Sequence, residues 1–109
     1  MRFCLAIDLK DDPEGIAAYE RHHRDVWPEV VRSLEEAEVT ALELYRTGSR
    51  LFMILETGKG FSFEKKAAID EASAKVREWE GLMSTFQQAL PWARPGQKWT
   101  LMERICALP

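Results

Sequence analysis

Two strand-like runs, "VTALELYR" and "RLFMILET", stand back to back with only "TGS" between them. So short a connection closes an antiparallel hairpin, because a parallel return needs a crossover of about a dozen residues or more. Gly48 falls where such a turn is expected to need a positive φ. Each side of the hairpin carries one helical region and then one further strand, and this arrangement limits the folds open to the chain.

The opening strand is "RFCLAIDL", residues 2 to 9, which ends at the turn signal "DDP". From Pro13 the spacing of Ile16, Tyr19, His23 and Val26 by three or four predicts a helix, with Asp12 placed to cap it and Pro13 at its first position. Pro28 removes a backbone donor and disfavours helical geometry at Trp27, so the helix is expected to break there and restart as "PEVVRSLEEAE", leaving Trp27 at a bend. After the hairpin and a Gly-bounded loop, "SFEKKAAIDEASAKVREWEGLMSTFQQAL" is helical by composition, with interruptions expected near Asp70 to Ser73 and near Gly81, and an end at Pro91. The turn "ARPGQ" leads into a last strand, "KWTLMERICAL".

The order β-α-β-β-α-β is the split βαβ pattern of ferredoxin-like folds: an α+β class, with four strands in one sheet and helices on one of its faces. All 109 residues read as a single domain, without repeat, linker or low-complexity segment. The other sheet face needs a cover, and a second copy of the chain supplies it most simply, so a homodimer is the expected state.

Composition narrows the partners. A net charge of -3 argues against a nucleic-acid surface, which needs clustered Lys and Arg, and favours a small neutral ligand. No apolar run approaches the roughly 20 residues of a membrane span, and the first residues lack the apolar core and cleavage site of a signal peptide, so a cytoplasmic protein with no membrane contact is expected. Cys4 and Cys106 sit in apolar stretches without a Cys-x-x-Cys partner and read as reduced core thiols.

The chemistry concentrates in "YERHHRDVWPE", Tyr19 to Glu29. Tyr19 and His23 are four residues apart, so on a helix they lie on one face and can meet one ligand. His22 is rotated from His23 by about 100° on an ideal helix, toward Arg21, Arg24 or solvent, and has no aromatic partner at helical spacing. His23 is therefore the better candidate for proton transfer, because an imidazole with a pKa of about 6.5 exchanges protons near neutrality. A satisfied core or interface histidine is the competing reading of the same residue. No pairing of His with a second ligand cluster supports a metal site, and neither a Gly-x-Ser-x-Gly, a P-loop nor a Gly-x-Gly-x-x-Gly motif supports acyl transfer or a nucleotide cofactor. Trp27, Trp79, Trp92 and Trp99 suit either a core or the apolar face of a sugar.

The spacing Y-x-x-x-H-x-x-x-W-P-E, filled by Tyr19, His23, Trp27, Pro28 and Glu29, resembles the L-rhamnose mutarotase family. The likeness runs along nearly the whole chain, through "LYRTGSRLFMILET", a tryptophan in "REWEGLM" and a closing "LP". It implies a dimeric α/β barrel of ferredoxin-like subunits that interconverts the α and β anomers of a 6-deoxy-L-sugar without metal or organic cofactor. It places the proton donor on His23, a substrate-contacting tyrosine on Tyr19, and the first of two paired tryptophans on Trp79.

Two positions depart from the rhamnose type. Glu80 follows Trp79 where a second tryptophan is common, and Leu42 stands where a ligand tyrosine is expected. Both look like the branch associated with L-fucose, which is favoured here over L-rhamnose. With Trp27 and Glu29 these residues make up the expected sugar pocket. On this reading His23 protonates the ring oxygen, Tyr19 orients the hemiacetal, and a water or Glu29 accepts the anomeric proton. A cofactor-independent oxygenase and a non-catalytic sugar-binding regulatory module are the alternatives on the same fold.

Overall fold

The computed structural model describes residues 1–109. Alternation along the first strand, β1 (Arg2–Leu9), buries Leu5, Ile7 and Leu9 on one face. The Asp12 carboxylate then accepts the Glu14 N–H at 3.3 Å, and Pro13 opens the first helix, α1 (Pro13–His23). The bend expected at Trp27 is present. Trp27 is extended, with ψ 138°, and precedes Pro28 at the start of α2 (Pro28–Glu36). The hairpin follows as β2 (Val39–Thr47) and β3 (Arg50–Thr57), joined through Gly48 at φ +55°.

The second helical region divides where its sequence proposed, at Ser73. This residue ends α3 (Phe63–Ala72), and its hydroxyl accepts the Val76 N–H at 3.3 Å to start α4 (Ala74–Ser84). Two short strands, β4 (Gln87–Gln88) and β5 (Thr100–Leu101), complete the chain.

The sheet runs β2-β3-β1-β4, with β5 pairing on β1 as well, and every pairing is antiparallel. Leu5 on β1 lies opposite Met53 on β3, which lies opposite Leu44 on β2. These three point to the helical side, while Cys4, Ile54 and Glu43 occupy the helix-free face. The fold is α+β and ferredoxin-like, as the order of elements required.

Several expectations are corrected. Helix α4 passes through Gly81 without a break; a Cβ there would meet nothing, so glycine carries only its modest propensity cost. The helix ends at Ser84 rather than near Pro91, because Gln87 and Gln88 pair with Leu9 and Asp8 and sheet pairing outweighs the helical composition of "TFQQAL". The last strand is only Thr100–Leu101. Met102–Pro109 lie exposed, with the Met102 N–H still donating to the Cys4 carbonyl of β1 at 2.7 Å. Cys106 is consequently exposed and Cys4 half-buried, so neither is a fully buried core thiol.

The core is two clusters, not one. The first joins Ile7, Leu9, Tyr19, Leu51, Trp79 and Met83; the second joins Leu5, Ala37, Val39, Leu55 and Phe61. A polar tie closes the outer end of the second. Glu38, at φ +67°, sets its carboxylate against Gly58 and Gly60, where any Cβ would be crowded, and binds Lys65 at 3.0 Å. This holds the loops before β2 and after β3 together beside Phe61.

Candidate active site

Between the two clusters lies a cavity of about 360 Å³, at the small end of ligand sites and suited to a molecule of monosaccharide size. Its walls are largely apolar, drawn from the helical face of the sheet and from all four helices. The polar groups reaching it are few: Tyr19, His23, Lys66, Glu80 and Gln87. A few convergent polar groups in an apolar chamber orient a small neutral ligand rather than hold an ion. No group of three or more His, Cys, Asp or Glu side chains is arranged to hold a metal.

Tyr19 and His23, one helical turn apart on α1, have ring centroids 4.3 Å apart. His23 Nδ1 lies 2.8 Å from the Tyr19 carbonyl oxygen. A carbonyl only accepts, so Nδ1 carries the proton and the neutral ring keeps the lone pair of Nε2 for a ligand. Burial pulls the His23 pKa below its ordinary 6.5, outweighing the opposing effect of the carbonyl bond, and the charge of nearby His22 lowers it further. At neutral pH the ring is therefore uncharged and ready to accept a proton. Tyr19 is buried, its pKa is raised chiefly by that burial, and the Gln87 amide donates to its oxygen at 3.3 Å. Its phenol stays protonated and is a donor, not a base.

Trp79 joins these groups from α4. Its ring stands edge-on to His23 at 5.4 Å and to Trp27 at 5.2 Å, and its side chain is both core and cavity wall. Glu80, the next residue, also lines the cavity. The residue as a whole is exposed, yet enough protein surrounds the carboxyl for desolvation to raise its pKa, with Asp70 adding to the rise and Lys98 and Lys66 opposing it. Leu42, 37% exposed, contributes to the wall from β2.

Five of the expected site residues thus share one cavity: Tyr19, His23, Leu42, Trp79 and Glu80. Two do not line it. Trp27 packs against Trp79 outside the cavity lining, with the Lys75 ammonium 5.6 Å from its ring centroid. Glu29 sits in the first turn of α2, 4.0 Å from Arg32 on the same helix, and is not part of the cavity wall.

His22 also differs from expectation. It is half-buried and meets Trp79 at 6.3 Å and Phe86 at 5.9 Å, since α4 and the segment after it pack across the side of α1 that looked solvent-facing. It does not line the cavity. Sequence reasoning missed Gln87 and Lys66. Gln87 was hidden in a run of helical composition, and Lys66, four residues before Asp70, carries the pattern of an ordinary surface ion pair.

Comparison with known proteins bears on the family and the fold. The sequence model of the family described as L-rhamnose mutarotase matches residues 2–108. An L-fucose mutarotase from Xanthomonas campestris pv. campestris is 47% identical over 109 residues, covering 98% of this chain and 87% of that protein. An L-rhamnose mutarotase from Formosa agariphila superposes with a TM-score of 0.72 at 16% identity, covering 100% of this chain and 99% of that one. A dimeric ferredoxin-like protein from an uncultured marine organism gives 0.53 at 14% identity over 99% and 91% of the two chains. The last two likenesses concern the fold alone. With the family model spanning almost every residue and a relative that shares nearly half of them, this chain belongs to the L-rhamnose mutarotase family.

Proposed function

We propose that the chain is a mutarotase, an isomerase interconverting the α and β anomers of a 6-deoxy-L-hexose, with L-fucose preferred to L-rhamnose. Family membership and the 47% identical L-fucose mutarotase support the activity and the preference. The observation that carries the mechanism is the state of His23: neutral, oriented through Nδ1, and lining a cavity of monosaccharide size.

Ring opening moves one proton from the anomeric oxygen O1 to the ring oxygen O5 while the C1–O5 bond breaks and C1=O1 forms. Neutral His23 accepts the O1 proton at Nε2, and the imidazolium so formed delivers it to O5, only one atom away along the ring. Rotation about C1–C2 turns the other carbonyl face to O5, and the reverse transfer closes the second anomer. Tyr19, a protonated phenol held by Gln87, donates to a sugar oxygen and keeps the ring in register. His23 thus serves as base first and acid second, and no separate carboxylate is required. Trp79 offers an apolar face to the C–H side of the sugar.

Anomer exchange followed by saturation-transfer NMR over L-fucose, L-rhamnose and other hexoses tests this reading. Faster exchange for L-fucose than for L-rhamnose is expected, and no acceleration for any sugar would refute it.

The working unit in this reading is a homodimer located in the cytoplasm. The helix-free sheet face exposes Tyr45 and partly exposes Phe52 and Ile54, and the tail beyond β5 leaves Ile105 and Leu108 almost fully exposed. A second copy set on that face would cover both. No helix is long and apolar enough to cross a membrane. Light scattering should give twice the 12.6 kDa chain mass at micromolar concentration, and a monomer would rule the dimer out.

A further inference from the structure

The polar groups of the cavity come from two separate places in the fold. Tyr19, His23 and Gln87 belong to α1 and β4, while Lys66 and Glu80 come from α3 and α4. The first set contains the proton-transfer machinery proposed above. The second is a cation and a carboxylate set in a wall that is otherwise apolar. We propose that Lys66 and Glu80 together bind the cis-3,4-diol of L-fucose and thereby select it over L-rhamnose; this rests on the mutarotase reading.

Lys66 is not a solvated helix lysine. Its side chain is only 20% exposed, and its ammonium is clamped by both oxygens of Asp70, the nearer contact of the two carboxylate oxygens with Nζ being 2.5 Å and the other 2.6 Å. Lysine is seldom buried in an apolar wall without a partner and a use. Asp70 supplies the partner without itself lining the cavity. An ammonium has three N–H donors, so a bond to Asp70 leaves capacity for a ligand. Glu80 supplies the complementary acceptor. Burial and then Asp70 raise the Glu80 pKa, and Lys98 and Lys66 oppose that rise.

The two sugars differ only at C2 and C4. L-Fucose has an equatorial O2 and an axial O4, so its neighbouring cis pair is O3 and O4. L-Rhamnose has an axial O2 and an equatorial O4, and its cis pair is O2 and O3. A cis pair can give one O–H to a carboxylate and accept one N–H from an ammonium at the same time. In L-fucose that pair lies at C3 and C4, on the side of the ring away from C1, and Lys66 on α3 and Glu80 on α4 reach the cavity from other elements than His23 on α1. In L-rhamnose the pair sits next to C1, and seating it on Lys66 and Glu80 would draw C1 away from His23.

The test compares Lys66→Met and Glu80→Gln with the unaltered protein on L-fucose, L-rhamnose and 4-deoxy-L-fucose. Loss of one charge-assisted hydrogen bond should raise KM for L-fucose by about tenfold or more, while KM for L-rhamnose stays within about threefold. The unaltered protein should bind 4-deoxy-L-fucose about tenfold more weakly than L-fucose, and Lys66→Met should show little of that difference. Asp70→Asn breaks the same ion pair but keeps the ammonium, so it should retain most of the L-fucose preference. Equal losses on both sugars, indifference to O4, or an Asp70→Asn variant as impaired as Lys66→Met would each overturn the proposal while leaving the mutarotase reading standing. An unaltered protein that accelerates neither sugar would overturn the mutarotase reading and this assignment with it.

Discussion

Replacing His23 by alanine is expected to lower the anomer exchange rate by about 10²-fold or more, the usual worth of a positioned acid-base group. Replacing His22 should leave the rate nearly intact. His22 borders Trp79 and Phe86 outside the cavity, so its loss should cost stability of about 1 kcal/mol rather than catalysis. Circular dichroism and denaturant titration check that both variants fold.

The pH profile gives an independent reading of the same residue. Burial lowers the His23 pKa below 6.5, and the neutral ring is the form that accepts the anomeric proton. The rate should therefore be level through neutrality and above, and fall as pH drops through the depressed pKa, below 6.5. The same shift affects stability. The unfolded chain binds a proton on this residue more readily than the folded one, so its contribution is full above 6.5 and is lost as pH falls through the folded value. A profile that falls on the alkaline side near pH 7 would contradict a neutral working form, and equal rate losses in the two alanine variants would contradict the face assignment.

Trp79→Ala should have the largest effect on the fold. The indole is 5% exposed, belongs to the first core cluster, and meets both His23 and Trp27 edge-on. Truncating a buried tryptophan typically costs about 3–5 kcal/mol, a large share of the roughly 5–15 kcal/mol that holds a small domain folded. The residue also borders the cavity, so its removal enlarges the binding space and frees the His23 ring. Denaturant unfolding of Trp79→Ala should show a midpoint lowered accordingly, and activity should fall even where the variant is folded. Trp79→Phe, which keeps an aromatic ring, should recover most of the stability. A Trp79→Ala variant within about 1 kcal/mol of the parent would mean that the indole is not a core element.

The local sequence determined those features that depend on short-range chemistry. The hairpin follows from a connection too short for any other geometry, and Gly48 takes the positive φ that its turn needs. The bend at Trp27 follows from Pro28, and the division at Ser73 from a hydroxyl able to cap a new helix. Tyr19 and His23 share a face because four residues make one helical turn, so the centre of the candidate site was legible in one eleven-residue stretch.

Tertiary structure decided what depends on distant partners. "TFQQAL" carries helical composition, yet Gln87 leaves the helix to pair with Leu9, and only then can its amide reach Tyr19. Glu29 had the right chemistry for a base, but the packing of α2 leaves it off the cavity wall, while Lys66 looked like a surface charge until the packing of α3 set it there. His22 lost its apparent freedom when α4 crossed it. Short-range order fixes which face of its own helix a residue occupies; what that face meets is set by long-range packing, which local patterns of residues do not encode.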